Sequence, residues 1–304
     1  MPSNPEQNNL YLQRFNSVLN YIRENLTEPL TLNTLAQVAG FSPFHFHRLF
    51  KAVTGETSSD TVVRLRLERA ASLLRSSPSL SITAAAFDCG FQSVSVFSRT
   101  FKKHFGLNAR QWDRQSPLKN SKNGQVLDGF PRYTIENLSE WAEEGVFEVN
   151  LRSLPAQRLA YIRVYDSYQA FKPVMDAYEQ LIAWYCQQGG DLKQTTLYGM
   201  SPDDPEVTPL RLCRFDWCLS VPSDWSATGK INIQNFPACQ VATIHCQGDL
   251  QQEDQAIQYL FRYWLPHSRY QPDNLPGMEI YRRLPSELGW EEFDLDCAIP
   301  IIKL

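Results

Sequence analysis

The stretch Val38–Gly55, VAGFSPFHFHRLFKAVTG, decides the reading of this chain, because it returns 51 residues later as CGFQSVSVFSRTFKKHFG, Cys89–Gly106. In each copy a Gly-Phe pair follows a run of small residues. A serine, Ser42 or Ser93, then offers its side-chain oxygen to a new helix, and an Arg-x-Phe-Lys run leads to a closing glycine. This order predicts a helix, a tight turn and a second helix, written twice. Gly40 and Gly90 suit a left-handed turn. Ala36 and Ala86, four residues before each, are small enough for the paired helices to approach closely.

The outward faces of the two second helices carry the functional signal. Phe46, Leu49, Phe50 and Val53 fall at i, i+3, i+4 and i+7 and are expected inside, which leaves Phe44, His47, Arg48 and Lys51 on the other side. The equivalent positions of the second copy are Ser95, Ser98, Arg99 and Lys102. A long donor side chain, hydrogen-bonding neighbours and a lysine near the exit suit base edges in a major groove flanked by phosphates. One such face alone reads as an ordinary solvated helix surface. Two in register point to nucleic acid.

LTLNTLAQVAGFSPFHFHRLFKAVTGE, RLRLERAASLL and SITAAAFDCGFQSVSVFSRTFKKHFGLNARQW closely resemble the paired helix-turn-helix domain of AraC/XylS-type transcription regulators, over about a third of the chain. The resemblance implies base-contacting roles for Phe44, His47 and Arg48 in the first helix and for Val94, Ser95, Ser98 and Arg99 in the second. It also implies a double-stranded DNA operator and RNA polymerase as partners. Ala109 stands where that family usually has proline, and Val94, Ser95 and Val96 are short, so the second helix is expected to read fewer bases.

Composition supports the division. The 304 residues, 43% hydrophobic, allow about two domains with sizeable cores. A net charge of −4 hides a split: residues 1–117 hold 13 Lys and Arg against 8 Asp and Glu, and residues 118–304 hold 16 against 25. The basic half suits a polyanion, and the acidic half repels one. No apolar run approaches the roughly 18 residues of a membrane span, so a soluble, cytoplasmic protein without membrane contact is expected. Seven scattered cysteines without a C-x-x-C pair read as small buried hydrophobes, not a disulfide framework or zinc site. His45 and His47 point in different directions on a helix, and no metal or cofactor is expected.

Leu12, Phe15, Leu19, Ile22 and Leu26 mark a first helix ending before Pro29. Asp60 to Arg75 reads as a helix joining the two units, with Val63, Leu67, Ala70, Ala71 and Leu74 on one side. Such a strut holds two reading helices at fixed separation, as successive major grooves require. From Ser116 to about Gly145 periodicity fades, and SPLKNSKNGQ is rich in turn formers, which places a linker at 118–145 in which Arg132 to Trp141 fits either a short helix or a docked segment.

Beyond it a second repeat appears. PAQRLA from Pro155 is similar to PACQVA from Pro237, and FDWCLSVP from Phe215 to FDLDCAIP from Phe293. Each pair brackets one helix, with Phe171, Met175, Tyr178, Ile182 and Tyr185 on one stripe and Ile257, Leu260, Phe261 and Trp264 on the other. The expected fold is therefore multidomain: an all-α double helix-turn-helix domain in residues 1–117, then an α+β domain in 146–304 of two pseudo-symmetric βαββ halves, helices on one face of an antiparallel sheet. This half resembles the GyrI-like effector-binding domain.

A pocket is expected at the seam between such halves. In the strand GMEIYRR, Met278 and Ile280 share one face and Glu279 and Tyr281 the other. The resemblance implies that Glu279 meets a cationic or amphipathic effector. Trp217, Tyr165 and Trp264 are read from the sequence as candidate aromatic walls beside Tyr281, although each also fits plain core. The reading is of a non-enzymatic regulator. Two others stand beside it: a small-molecule hydrolase with a glutamate base, and a ligand-free protein-interaction module. Tandem reading units let one monomer cover an operator, so a monomer or weak dimer is expected.

Overall fold

The computed structural model describes residues 5–77, 79–112, 147–205 and 207–304. Among the described residues of the N-terminal half, hydroxyl caps start five of six α-helices: α1 Pro5–Glu24, α2 Leu32–Ala39, α3 Pro43–Thr54, α4 Ser58–Ser76, α5 Ile82–Asp88 and α6 Val94–Phe105. Thr31, Ser42, Thr57, Ser81 and Ser93 each accept from the backbone N–H three residues on, at 3.1, 3.4, 3.1, 3.1 and 3.2 Å. Each such cap is worth about 1 kcal/mol. At the two turns, Gly40 and Gly90 take φ +66° and +80°, and a β-carbon on Gly90 would run into the Leu26 carbonyl.

These helices build two small cores. Phe15, Ile22, Leu35, Phe46 and Phe50 centre the first, and Phe97, Phe101, Phe105 and Trp112 the second. Helix α4 serves both, giving Val62 and Leu65 to one and Leu67, Ala70, Ala71, Leu73 and Leu74 to the other. Its Arg66 also pins the turn after α1, donating to the carbonyls of Leu26 and Glu28 at 2.7 and 2.8 Å. Val53, expected inside, is 37% exposed in the last turn of α3.

The C-terminal half is a nine-stranded antiparallel sheet of β1 Asn150–Leu154, β2 Gln157–Tyr165, β3 Leu197–Ser201, β4 Arg214–Ser220, β5 Asn232–Phe236, β6 Cys239–Gly248, β7 Tyr270–Pro272, β8 Gly277–Tyr281 and β9 Phe293–Lys303. Their order is β1-β6-β9-β8-β3-β4-β2-β5, with β7 also on β9. Helices α7 Phe171–Gln187 and α8 Leu250–Tyr259 cover one face, α7 over Ile162, Val164 and Trp217, and α8 over Ile244, Leu295 and Cys297.

Two helix stripes differ from expectation. In α7 the buried line is Val174, Ala177, Tyr178, Leu181, Trp184 and Tyr185, with Phe171, Met175 and Ile182 at its edge. After α8 the chain continues through a π-helical turn, Leu260–Trp264. Hydrogen bonds to the fifth residue in place of the fourth break the 3.6 period; Leu260 is buried as expected, beside Ala256 and Tyr259, while Ile257, Phe261 and Trp264 are half-buried.

The opposite face of the sheet meets α1. Asn20 donates to the Tyr161 hydroxyl at 3.1 Å and to Gln234 at 2.8 Å, and Asn16 to Asn232 at 3.1 Å. Arg163, buried and paired with Asp216 at 2.6 Å, also donates to Asn20 at 2.9 Å. Val207, in the loop before β4, is buried within the second helical core. The two halves therefore share a packed, hydrogen-bonded boundary. The expected linker at 118–145, with the boundary at Ser116 and the Arg132–Trp141 segment, lies outside the described residues. All seven cysteines are free, five of them buried. No helix among the described residues is long and apolar enough to cross a membrane.

Candidate functional site

Two surfaces carry the sequence candidates. On α3, burying Phe46 and Phe50 turns Phe44, His47, Arg48 and Lys51 outward, and all four are exposed. Phe44 keeps 70% of its surface in solvent, and the Arg48 guanidinium lies 5.8 Å from its ring centroid. A stacked arginine and a bare phenylalanine are a poor solvated surface but a good groove-facing one. On α6, Ser95, Arg99 and Lys102 are exposed, while Val94 and Ser98 are half-buried. Val96, outside the expected set, is 44% exposed beside them.

The second surface is a cavity of about 420 Å³ at the seam between α7 and α8, over β3, β4 and β8. Alternation on β8 buries Met278 and Ile280 on the far face and turns Glu279 and Tyr281 into this space. Glu279 is the register partner of Gly199 on β3. A side chain there would collide with the Glu279 carboxylate and the Phe215 ring, so this glycine makes the room that the carboxylate occupies.

Hydrogen bonds hold the carboxyl group. The Tyr281 hydroxyl donates to Oε2 at 2.5 Å, and Glu253, from the first turn of α8, shares a hydrogen bond with it. Two carboxyl groups bond only when one keeps its proton. Burial raises Glu253 well above the usual carboxylate range, and the charge of Glu279 adds to it; burial also raises Glu279, against the bonds from Tyr281 and Glu253. Trp217 forms an aromatic wall, fixed by its N–H to the Val174 carbonyl at 2.9 Å and by rings of Phe215 and Tyr281 at 5.0 and 5.3 Å. The arrangement offers apolar, π-rich walls and a carboxyl pair with one proton to lose, a chemistry matched to an amphipathic cation.

The structure thus brings Glu279, Tyr281 and Trp217 together. It does not bring Tyr165 or Trp264. The side chain of Tyr165 emerges on the opposite face of β2, where its hydroxyl donates to Asn16 of α1 at 2.6 Å. Trp264 is carried by the π-helical turn and stacks on Tyr270 at 5.9 Å, outside the cavity lining. Sequence reasoning missed Glu253, whose spacing to Glu279 carries no pattern. It also missed a whole face of α4, because Leu65, Glu68, Arg69, Ser72 and Arg75 line the cavity from the helical half.

A family model described as a GyrI-like small molecule binding domain matches residues 147–302, just over half of the chain. The chain belongs to this family. A second model, a helix-turn-helix domain, matches residues 35–115, so the GyrI-like domain is joined here to a helix-turn-helix domain of the AraC type. Among relatives, the chain is 37% identical over 100 residues to the HTH-type transcriptional regulator GlxA of Rhizobium meliloti (strain 1021), covering 33% of this chain and 31% of that protein. It is 33% identical over 115 residues to the probable transcription factor PqrA of Proteus vulgaris, covering 37% and 87%. The chain thus spans about a third of the length of the first and most of the second. Of solved structures, the C-terminal domain of EcmrR is similar to the GyrI-like half, with 17% identity, a TM-score of 0.40 and coverage of 52% of this chain and 99% of that one.

Proposed function

We propose that this protein is a one-component transcription regulator whose helical half binds an operator through α3 and α6 and whose GyrI-like half binds a small, cationic or amphipathic effector. The observation that carries the reading is the exposed Phe44, His47, Arg48 and Lys51 on α3, echoed by Ser95, Arg99 and Lys102 on α6. Arg48 reads a base edge. Arg48→Ala is expected to cost about 1–3 kcal/mol on an operator selected from random duplexes and to relax specificity at one position. Lys102→Ala, removing a phosphate contact, weakens all sequences alike and lowers the salt slope by about one. Equal losses on operator and random DNA for Arg48→Ala, read by fluorescence anisotropy, would refute the assignment.

In this reading residues 1–117 are the DNA-binding domain, 118–145 the linker and 146–304 the effector domain. The latter is two βαββ halves, β2-α7-β3-β4 and β6-α8-β8-β9, about an approximate twofold axis between β3 and β8. The central order β6-β9-β8-β3-β4-β2, the same from either end, supports this. The protein acts in the cytoplasm as a monomer or weak dimer and signals to RNA polymerase at the promoter. It is not an enzyme: Glu279, engaged by Tyr281 and Glu253, is a ligand-binding group here. A ligand-free interaction module is less well supported, since it leaves the glycine-made room around Glu279 without a purpose.

A further inference from the structure

Helix α4 belongs to the helical half, yet Leu65, Glu68, Arg69, Ser72 and Arg75 recur at i, i+3, i+4, i+7 and i+10 and face the cavity of the other half. Charged side chains at that spacing would ordinarily face water. Here Glu68 and Arg75 are 7% and 4% exposed, and Arg69 donates to the carbonyls of Pro272 and Asp273 at 2.8 and 2.7 Å. The cavity is therefore incomplete without α4.

Glu68 is tied to more than the cavity. Arg64, one turn earlier, donates through Nη1 to both oxygens of Glu68 at 3.1–3.2 Å. Through Nε and Nη2 it grips Glu56 at 3.1 and 2.5 Å. Glu56 directly follows Gly55, the left-handed cap of α3, and its carbonyl accepts from Thr54 at the end of that helix at 3.1 Å. One guanidinium thus bridges a carboxylate on the cavity wall and a carboxylate at the exit of the first reading helix. With both acids ionised the triad carries one surplus negative charge, and its one cavity-facing member is Glu68.

We propose that the effector site is composite, with Glu68 of α4 as a second anionic contact for an amphipathic cation held against Glu279, and that occupancy of Glu68 is passed through Arg64 and Glu56 to the seating of α3. This rests on reading the GyrI-like cavity as the effector site. A cation drawn to Glu68 competes with Arg64 for the carboxylate, and the freed guanidinium turns wholly to Glu56. Burial against the attraction of Arg64 leaves the Glu68 carboxyl raised to about 7, so its charge is readily altered by a new neighbour. By linkage, a ligand that shifts α3 must itself be bound differently when operator is present.

The test uses the full chain, tetraphenylphosphonium as a bulky aromatic cation, and an operator selected from random duplexes. Calorimetry gives the probe affinity, and anisotropy gives operator affinity with and without saturating probe. For the wild type, probe is expected to shift operator affinity about fivefold or more. Glu68→Gln is expected to weaken probe about tenfold, and Ser72→Phe, which fills the cavity from the α4 side and changes no residue of the sheet domain, to weaken it at least as much. Arg64→Lys replaces the forked donor with a point charge. Because the competing grip on Glu68 is weaker, it is expected to raise probe affinity a few-fold, in contrast to Glu68→Gln, while bringing the operator shift close to one. Far-ultraviolet circular dichroism melts certify that each variant is folded. If Glu279→Gln weakens probe while Glu68→Gln and Ser72→Phe do not, the cavity reading stands and the composite site is overturned. If Arg64→Lys keeps the full shift, the relay is overturned. If the wild type binds no probe, the cationic-site reading falls and this proposal with it.

Discussion

At the scale of single residues, Gly199 and Glu279 are one feature seen from two strands. The strand pair places them opposite each other, and the carboxylate lies where a β-carbon of residue 199 would stand. Gly199→Ala is therefore expected to push Glu279 from its place, breaking the 2.5 Å bond from Tyr281. The expected loss is about 1–3 kcal/mol of stability, with at least tenfold weaker cation binding, because overpacking and a displaced buried carboxyl act together. Thermal melts and calorimetry on the same samples check it; an unchanged melt with unchanged affinity would place the carboxylate elsewhere.

The same acids set a pH dependence. Glu68 goes from 4.5 to about 7 on folding, and Glu253 and Glu279 are raised as well. Raised carboxyl groups hold protons more tightly in the folded state, so the stability they contribute is full below about pH 4.5 and is lost as pH rises through their folded values. Cation binding has the opposite slope, since the proton must leave for charge to meet charge. Through Glu68, affinity for tetraphenylphosphonium is expected to rise by up to about tenfold per unit as pH climbs toward about 7, with up to one proton released per ligand there, and to level off above it. Calorimetry in buffers of different ionisation enthalpy counts that proton; a flat profile with no release excludes these acids from the site.

At the scale of elements, the helices show what a single sequence makes legible. Helix–turn–helix boundaries were readable because capping serines and left-handed glycines are local chemistry, and Phe46 and Phe50 fixed which face of α3 is outside. Alternation on β8 likewise separated Glu279 and Tyr281 from Met278 and Ile280, but which of the two faces the helices cover is not written in the strand. On α7 the expected stripe is right at Tyr178 and Tyr185 but is turned too far toward one edge, taking Phe171, Met175 and Ile182 in place of Val174, Leu181 and Trp184. Phe171 is large and apolar because it borders the cavity, while small Ala177 is the true contact. Tyr165 lies on the face of β2 that α1 covers, and nothing within β2 records that cover. For α4 only the apolar face was legible: a charged stripe reads as solvated unless another domain is known to cover it, and nothing within α4 records that cover.

At the scale of the molecule, opposite net charges and a polar linker suggest two separable parts, but the packing does not. Val207 of the GyrI-like half completes the core of the second helix-turn-helix unit, and Asn16, Asn20 and Arg23 of α1 are bonded to the other half. A fragment ending near Ser121 keeps both reading faces and sheds the acidic half, so it is expected to bind operator on its own, with relatively stronger binding to random DNA. It is also expected to melt earlier than the helical half does within the full chain. The second unit bears most of this loss, since removing Val207 uncovers part of the Phe97, Phe101 and Phe105 core. In the intact protein, Val207→Ala isolates that contact, with an expected cost of about 1–3 kcal/mol, although residue 207 lies in the half that carries no reading helix. Hydrogen exchange resolved by segment checks both: faster exchange in α5 and α6 than in α1 and α2 is expected in the fragment and in Val207→Ala. Equal protection in fragment and full chain would mean that the halves touch without supporting each other.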